Sequence, residues 1–372
     1  MAPPSEINAV VITKPGAVEV KRVPLPNLPD DFILVRTTAV ALNPTDWKHA
    51  GVGGNPLGVT AYTTGTRVGC DYAGIVEQVG SKVTKDFAPG DRVCGIVHGS
   101  NNLRPDGGSF AEYIVAKGDL QIKTPDNLSD EEAATLGVGI STVAQGLYQT
   151  LGLPLPSTAN HPNTITPSNP PPEILIYGGS TATGVLGIQF AKLSGYRVAT
   201  TCSPSNFDYV KSLGADAAFD YRAPDVVDAI RAWSNNADEL LTIAWDCISN
   251  EASARISVAA LSRTKPGHYR SLSPIPDELV KELNEKVDNG WRLAYTMFGE
   301  AIQKSIWMEA VPEDFEYGKM FWELARELLA EGKVKAVKAD MNRGGKGLEG
   351  VVVGLKELAE NKVSGAKLVY TL

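Results

Sequence analysis

A stretch of about thirty residues, from Glu173 to Ser203, constrains the fold of this chain more than any other part of its sequence. The apolar run EILIY predicts a strand buried on both faces, and Gly178-Gly179 ends it in a tight turn. From about Thr183, apolar residues recur at helical spacing until Gly195, and the run RVATT then predicts a second strand. The pattern indicates a βαβ unit and therefore a parallel sheet.

The turn of this unit has two interpretations. A dinucleotide-binding loop usually has three spaced glycines. In their place this chain has Gly178, the segment STAT, Gly184 and Gly187. An ordinary strand–helix turn of an α/β protein accounts for these residues. Alternatively, the backbone N–H groups and the positive dipole end of the helix hold a pyrophosphate, with serine and threonine hydroxyls beside it. The turn alone leaves both interpretations open.

Length and composition limit the class of protein. The 372 residues favour two domains, and 43% hydrophobic with 21% charged residues is typical of a globular protein. A net charge of -8 provides no basic excess to neutralise phosphates, which argues against nucleic acid as a partner. The N-terminal MAPPSEINAVVI lacks the pattern of a secretory leader, and no apolar run approaches about 18 residues. We therefore expect a cytoplasmic protein that does not enter a membrane.

The four cysteines, Cys70, Cys94, Cys202 and Cys247, are scattered and form no C-x-x-C pair. This spacing is typical of reduced, mostly structural thiols rather than of a disulfide framework or a structural zinc site. We therefore predict that no metal is bound.

The whole chain divides into two predicted domains. Short alternating runs near the start of the chain and the closing AKLVYTL predict an antiparallel first domain, to which we assign residues 1–137 and 318–372. Strand–helix alternation after Glu173 predicts a second domain with a parallel sheet, over residues 138–317. A segment rich in Pro, Ser, Thr and Asn, residues 154–172, is expected to form an exposed loop before the βαβ unit.

One short predicted helix contains the first candidate site residues. Asn43 followed by Pro44 predicts a helix start, and Asp46 completes a capping arrangement, so that Thr45 also lies at this start. Lys48, one turn into the helix, has two interpretations, a solvated surface lysine or a functional cation.

Six motifs in this order together resemble the medium-chain dehydrogenase/reductase superfamily: NPTD at 43–46, G-x-D-x-x-G at 69–74, GDRV at 90–93, G-x-F-A-E-Y at 108–113, EEAATL at 131–136 and the IQFAKLSG helix. The match covers nearly the whole chain. More narrowly, GGSTAT, TTCSPSNFD, FDYRAP and FGE are similar to fungal trans-acting enoyl reductases that serve polyketide synthases. The resemblance implies an α/β protein with a Rossmann cofactor domain and a GroES-like, mostly antiparallel catalytic domain.

This superfamily has zinc-using and zinc-free branches, and the ligand positions indicate the zinc-free branch. Asn43 stands at the position of the first zinc cysteine and Cys70 at the position of the histidine, and one cysteine cannot hold zinc. Because no metal would polarise an alcohol oxygen, conjugate reduction is the better interpretation.

The resemblance implies NADPH as the cofactor, lying across the cleft between the domains. No carboxylate follows the second strand, where NAD enzymes usually present one to the ribose; Cys202 to Asn206 stand there instead, without the usual arginine or lysine. The residues that the resemblance places at the cofactor are Thr45, Lys48, Ser180, Thr181, Ala182, Thr183, Ser203, Asn206, Tyr221, Leu261, Ser262, Val363 and Ser364. Ser203, Asn206 and Tyr221 are expected around the 2′-phosphate, although Ser203 and Asn206 also suit helix caps.

The resemblance also implies the reaction. Lys48 is the one catalytic candidate and holds the nicotinamide end of the cofactor with Thr45. The residues expected to face the substrate are Gly139, Ile140, Ser141, Thr142, Phe298, Gly299 and Glu300. Hydride passes from NADPH to the β-carbon of an α,β-unsaturated thioester on the acyl carrier protein of a polyketide synthase, or of a synthase–peptide synthetase hybrid.

Two alternative functions remain open: a stand-alone NADPH-dependent quinone or 2-alkenal reductase, and a cofactor-binding interaction protein without turnover. The oligomeric state is predicted from the expected last strand of the cofactor domain, GHYRSLSPIP. Its Pro274 and Pro276 cannot donate hydrogen bonds to a neighbouring strand. We therefore expect a monomer.

Overall fold

A computed structural model of the chain describes residues 3–54, 64–162, 168–234, 236–303 and 307–372. Two compact units make up the chain. Unit 1 consists of Met1–Ser141, Tyr295–Ala330 and Ala336–Leu372, and unit 2 consists of Thr142–Ala294 and Glu331–Lys335.

The strands, in chain order, are β1 (Glu6–Lys14), β2 (Ala17–Pro24), β3 (Phe32–Ala41), β4 (Asp71–Val79), β5 (Arg92–Ile96), β6 (Tyr113–Lys117), β7 (Ile122–Lys123), β8 (Glu173–Tyr177), β9 (Arg197–Thr201), β10 (Ala217–Phe219), β11 (Leu241–Asp246), β12 (Gly267–Ser271), β13 (Val287–Trp291), β14 (Ile302–Gln303), β15 (Trp307–Met308), β16 (Ala339–Met341) and β17 (Lys367–Thr371).

The α-helices are α1 (Pro44–Ala50), α2 (Asp130–Ala134), α3 (Gly137–Val143), α4 (Ala182–Leu193), α5 (Phe207–Ser212), α6 (Val226–Trp233), α7 (Ala237–Leu240), α8 (Glu251–Ala260), α9 (Asp277–Leu283), α10 (Pro312–Ala330) and α11 (Gly347–Ala359). Short 3₁₀ helices occur at Gly118–Leu120, Pro204–Asn206 and Ala294–Phe298, and a π-helical stretch at Ala144–Thr150. In the described parts of the chain no helix is both long and apolar enough to cross a bilayer.

Unit 1 is built on a mostly antiparallel sheet of seven strands. Their order is β16-β17-β3-β4-β5-β7, and β6 also pairs with β3. The closing strand β17 pairs antiparallel with β3, so the prediction that it joins the first strands of the chain is confirmed. Buried residues of β1 and the apolar face of α11 contribute to a common hydrophobic core, which includes Ile12, Tyr72, Val351 and Leu355.

Unit 2 contains a parallel sheet of six strands in the order β10-β9-β8-β11-β12-β13. The predicted βαβ unit is confirmed as β8, α4 and β9, and every residue of β8 is buried. The order of the strands reverses between β8 and β11. In open α/β sheets the carboxyl ends of the strands at such a reversal form the usual ligand-binding edge.

The edge of this sheet differs from the prediction. The strand β12 has β13 as its neighbour, so GHYRSLSPIP is not the last strand and its prolines do not define the edge. In β13 only Val287 is buried, because an edge strand needs little apolar surface. The sequence VDNGW therefore lacks the pattern on which the strand prediction relied.

The unit boundaries also differ from the predicted ones. Residues 295–317 were assigned to the cofactor domain, but they belong to unit 1. The physical reason is that Met297 and Phe298 are buried there and that Thr296 donates a hydrogen bond to Asp314, all within unit 1. In the proline-rich segment no helix or strand forms over 154–162 or 168–172, and residues 163–167 lie outside the described part.

Candidate active site

The turn after β8 is shaped by glycine. Gly178 has φ +83°, a conformation that L side chains rarely adopt, and a Cβ on Gly184 would overlap the carbonyl oxygen of Gly178. Thr181 caps α4, because its hydroxyl accepts a hydrogen bond from Gly184 N (3.0 Å) and donates one to Gly178 O (2.8 Å). Thr181, which departs from the usual glycine pattern, thus has a defined structural role.

This turn fits a pyrophosphate. The first N–H groups of a helix have no acceptor within the helix, and in α4 they belong to Ala182 and Thr183. They lie at the reversal of strand order, with Ser180 half-exposed before them. Because the backbone of Gly178 and Gly179 carries no side chain into the turn, an anion can approach these N–H groups closely.

Three more predicted cofactor residues lie at the carboxyl edge of the same sheet. Ser203 follows β9 and Tyr221 follows β10. Ser203 and Asn206 each precede a helix, but neither side chain makes a capping hydrogen bond, so the capping interpretation does not account for them. The ring of Tyr221 is exposed and its centroid lies 6.2 Å from that of Tyr177 at the end of β8.

The structure does not place Leu261 and Ser262 at this edge. Helix α8 runs antiparallel to the strands, so its end lies at their amino ends. There Ser262 N donates to Leu241 O (2.8 Å), at the start of β11, and the Ser262 hydroxyl donates to Asp238 O (2.7 Å). Both residues are fully buried. The assignment of Leu261 and Ser262 to the cofactor therefore stays a prediction that their position at the amino ends of the strands does not support.

In unit 1 the predicted start of α1 is confirmed. Asn43 caps the helix, Pro44 occupies its first turn, and Asn43 N donates to Asp46 Oδ2 at 2.7 Å. Thr45 and Lys48 are both half-buried. Burial lowers the pKa of Lys48, and its Nζ lies 5.7 Å from the centroid of the Trp47 ring. Lys48 is thus partly withdrawn from solvent, and its functional role stays a prediction.

A cluster around Tyr295 was not anticipated from the sequence. The Tyr295 hydroxyl lies 2.7 Å from Thr45 Oγ1 and 3.3 Å from Cys70 Sγ. Thr45 Oγ1 in turn lies 3.1 Å from His49 Nδ1, and the Tyr295 ring stacks on His98 with centroids 4.1 Å apart. A continuous set of hydrogen bonds thus leads from the buried tyrosine through Thr45 to a half-buried histidine.

Burial dominates the electrostatics of this cluster. It raises the pKa of Asp46 to about 7, and it holds the pKa values of Cys70 and Tyr295 well above their ordinary ranges. Cys70 is consequently a neutral thiol at physiological pH. In the described part of the chain no group of three or more His, Cys, Asp and Glu side chains is arranged to hold a metal ion.

A buried ion pair fixes the strand beside Cys70. Lys367 in β17 contacts Asp71 Oδ2 and donates a second hydrogen bond to Thr135 O (2.9 Å). Asp71 Oδ1 accepts a hydrogen bond from Val138 N (2.7 Å) at the start of α3. This carboxylate therefore joins three separate segments of unit 1.

The predicted substrate residues fall into two groups. Gly139, Ile140, Ser141 and Thr142 lie buried in α3, where the Ser141 hydroxyl accepts a hydrogen bond from Trp322 Nε1 (3.1 Å). Phe298 and Gly299 form the predicted turn and line an open cavity of about 260 Å³ with Lys117 and Phe315. Glu300 accepts a hydrogen bond from Lys117 Nζ at 2.7 Å.

The two remaining cofactor candidates lie in unit 1, between α11 and β17. Val363 packs against the hydrophobic core of this unit, and Ser364 is exposed. Neither residue has a place in the unit 2 turn, so their role stays a prediction.

Comparison with known proteins defines the family. Residues 29–126 match the alcohol dehydrogenase GroES-like domain, and residues 182–306 match the zinc-binding dehydrogenase domain. A trans-enoyl reductase of Aspergillus sclerotiorum is 47% identical, with 98% of this chain and 99% of that protein covered. A trans-enoyl reductase of Alternaria alternata is 43% identical, with 98% of each covered.

The fold agrees with solved structures. The quinone oxidoreductase from Coxiella burnetii superposes with a TM-score of 0.70 over 99% of both chains, at 23% identity, a similarity that concerns the fold. The chain belongs to the medium-chain dehydrogenase/reductase family, a family of NAD(P)-binding oxidoreductases. Within this family it is similar over its whole length to fungal trans-enoyl reductases, which confirms the resemblance seen in its motifs.

Proposed function

We propose that the protein is a zinc-independent, NADPH-dependent enoyl reductase that acts in trans on an α,β-unsaturated polyketide thioester. The observation that carries this proposal is the 47% identity, over nearly the full length of both chains, to a protein named a trans-enoyl reductase. The chemistry that bound NADPH supplies is donation of a hydride to the β-carbon of the thioester. The chain's own residues bind, orient and shield the reacting groups.

The pyrophosphate is bound by the start of α4. The backbone N–H groups at the start of α4 would hold the anion, and the Thr181 cap stabilises the conformation of the turn. Ser203, Asn206 and Tyr221 would receive the adenosine end, because all three follow the carboxyl ends of neighbouring strands.

The nicotinamide end is held by Thr45 and Lys48. A half-buried lysine whose pKa is lowered by burial is weakly hydrated and forms strong hydrogen bonds with a polar group that replaces water. Thr45 is oriented by Tyr295 and His49. Val363 and Ser364 remain candidates at the cofactor through the resemblance alone.

The acyl group is received near Phe298 and Gly299. The cavity beside them is lined by the rings of Phe298 and Phe315, by Pro312, and by the charged side chains of Lys117, Glu313 and Glu316. The two aromatic rings offer an apolar surface to the acyl chain, and the charged side chains around them leave a polar side for the thioester. Gly139 to Thr142 lie in α3, where the chain passes from unit 1 to unit 2, and they remain candidates for contact with the substrate.

The donor set supports zinc independence. The family domain over residues 182–306 is described as zinc-binding. In this chain Asn43 offers an amide where a thiolate is needed, and Cys70 alone cannot hold zinc.

The partner is a polyketide synthase, or a synthase–peptide synthetase hybrid, whose acyl carrier protein presents the thioester. This assignment rests on the similarity to trans-enoyl reductases. The strand-edge argument for a monomer no longer applies, because β13 covers β12. A monomer therefore remains a prediction that light scattering of the purified chain tests.

The proposal is tested by measuring NADPH oxidation with three classes of acceptor: enoyl-thioester mimics of a carrier-bound polyketide, quinones and 2-alkenals. Fast turnover of the thioesters, with deuterium from labelled NADPH at the β-carbon of the product, is the expected result. A marked preference for quinones or alkenals would instead identify a stand-alone reductase. Cofactor binding without oxidation in any arm would identify a non-catalytic binding protein.

A further inference from the structure

We propose that Arg222 recognises the 2′-phosphate of the dinucleotide and sets the preference for the phosphorylated cofactor. This inference rests on the proposed function, since it assumes that unit 2 binds an adenine dinucleotide. It supplies the cation that the segment after β9 lacks: the predicted 2′-phosphate residues Ser203, Asn206 and Tyr221 are all uncharged.

Arg222 lies at the same sheet edge as Ser203. Cys202 N donates to Phe219 O at 3.0 Å, so β9 and β10 end side by side. The chain leaves β9 at Ser203 and leaves β10 at Asp220, and both segments begin at the carboxyl ends of parallel strands. Ligands of open α/β sheets bind at this edge.

The tyrosine before Arg222 crosses the end of β9. Tyr221 follows β10 and its ring contacts Tyr177 at the end of β8, although β9 lies between these two strands. The Arg222 guanidinium carbon lies 5.4 Å from the centroid of the Tyr221 ring. Arg222 therefore lies beside the Tyr221 ring, which extends from the end of β10 toward the turn after β8.

Arg222 is the cationic side chain in the three loops that form this part of the edge. Residues 178–183, 202–206 and 220–225 are all described, and they contain no other arginine or lysine. A 2′-phosphate carries close to two negative charges, and an arginine with its fork of donors matches it better than hydroxyls alone. The guanidinium is mostly exposed, with 56% of the side chain accessible.

Asp220 positions this guanidinium. Arg222 Nε lies 2.9 Å from Asp220 Oδ1 and Nη2 lies 3.2 Å from Oδ2, while Arg222 N also donates to Oδ1 (3.1 Å). A guanidinium has five N–H donors, so a bidentate pair leaves donors for a phosphate. The pair also neutralises Asp220. Without Arg222, this carboxylate would repel a 2′-phosphate and could accept a hydrogen bond from an unmodified ribose hydroxyl.

The test compares two probes that differ only in the 2′-phosphate, adenosine 2′,5′-bisphosphate and adenosine 5′-monophosphate, by calorimetric titration of the full chain. In Arg222→Gln we expect the Kd of the bisphosphate to rise roughly tenfold to a hundredfold, the range for loss of a charge-assisted contact. The Kd of the monophosphate should change less than about twofold. Asp220→Asn should bind the bisphosphate at least as tightly as the wild type does.

Lys192→Gln is the matched control. Lys192 Nζ lies 2.8 Å from Asp216 Oδ2, in an ion pair of the same unit, but Asp216 also accepts from Val198 N near the start of β9. This pair therefore lies at the amino edge of the sheet, and its loss should leave both Kd values unchanged. The melting temperature of each variant shows that it is folded.

The outcomes separate this inference from the proposed function. If the wild type prefers the bisphosphate and Arg222→Gln keeps that preference, the role of Arg222 is wrong and the proposed function is unaffected. An equal effect of Lys192→Gln would also overturn it, since net charge would then explain the loss. If the wild type binds neither probe, the assignment of unit 2 as a dinucleotide site fails.

Discussion

The hydroxyl of Tyr295 lies 2.7 Å from that of Thr45, although 250 residues separate them in the sequence. Tyr295 is buried, and its ring is held by stacking on His98. The rigidly held Tyr295 hydroxyl thus fixes the orientation of Thr45, which the family resemblance places at the cofactor.

Replacing Tyr295 with Phe tests this relationship. The ring and its stacking remain, so we expect little change in melting temperature. The Thr45 hydroxyl loses one partner, and kcat/KM for NADPH-dependent reduction should fall roughly three- to tenfold, the range for one uncharged hydrogen bond. Tyr148→Phe is the control, because its hydroxyl bonds to Phe190 O (3.2 Å) within unit 2. Full activity in Tyr295→Phe would show that Thr45 needs no such support.

Replacing Lys48 with Ser removes the one predicted catalytic side chain. Because Lys48 is half-buried yet lies on a short surface helix, the fold should persist while kcat/KM with NADPH falls at least about tenfold. Steady-state kinetics and a thermal melt measure the two effects. Lys14→Ser, on an exposed residue of the same unit, should leave both unchanged. Unchanged kcat/KM in Lys48→Ser would reject the catalytic role.

Asp46 should make stability depend on pH. Burial raises the pKa of Asp46 from its ordinary 3.8 to about 7, so between these values the unfolded chain is ionised while the folded chain keeps its proton. The stability that this group contributes is complete below about pH 4 and is lost as the pH rises to about 7, a total of roughly 4 kcal/mol.

The Asp46→Asn variant should escape this loss. It retains an acceptor for Asn43 N. The difference in unfolding free energy between this variant and the wild type should therefore grow from about pH 4 to about pH 7 and then level off, because the pKa of Asp46 is 3.8 in the unfolded chain and about 7 in the folded one. Asp91→Asn is a control of opposite sign, because hydrogen bonding from Ala88 N lowers the pKa of Asp91. A constant difference between Asp46→Asn and the wild type across this range would contradict the assignment.

Gly184→Ala probes the turn after β8. The new methyl group would overlap Gly178 O, and the strand and helix must move apart, which costs roughly 1–3 kcal/mol of unfolding free energy. Affinity for the dinucleotide should fall as well, because the N–H groups at the start of α4 shift with the helix. In Gly290→Ala the nearest atom is the flexible end of Arg270 at 3.2 Å, so this variant should lose much less. Equal stability of the two variants would show that the close approach is not required.

Sequence reasoning succeeded where a local pattern has a local cause. The strand, glycine turn and helix around Gly178, and the capped start of α1 at Asn43, follow from residues within one turn of each other. It failed for β13, since an edge strand needs few apolar residues. It also failed for Tyr295, whose partners come from distant segments and leave no periodic signal.

Leu261 and Ser262 lie where strand and helix order alone would have placed them. In a sheet of parallel strands each connecting helix returns the chain to the amino ends, so residues that close a helix lie opposite to the ligand edge. The corresponding residue at that edge is Ser271, at the end of β12. Counting strand and helix ends, rather than matching short motifs, would have separated the two positions.

The pair of Asp71 and Lys367, 296 residues apart, has a consequence for the order of events during protein synthesis. The strands β3 and β4 emerge early from the ribosome, but their neighbour β17 is translated only after the whole of the sheet in unit 2. Until then Asp71 has no lysine to neutralise it. Unit 2 can therefore complete its fold before unit 1 does. In a nascent chain that is stalled before β17, we expect chaperones to bind unit 1.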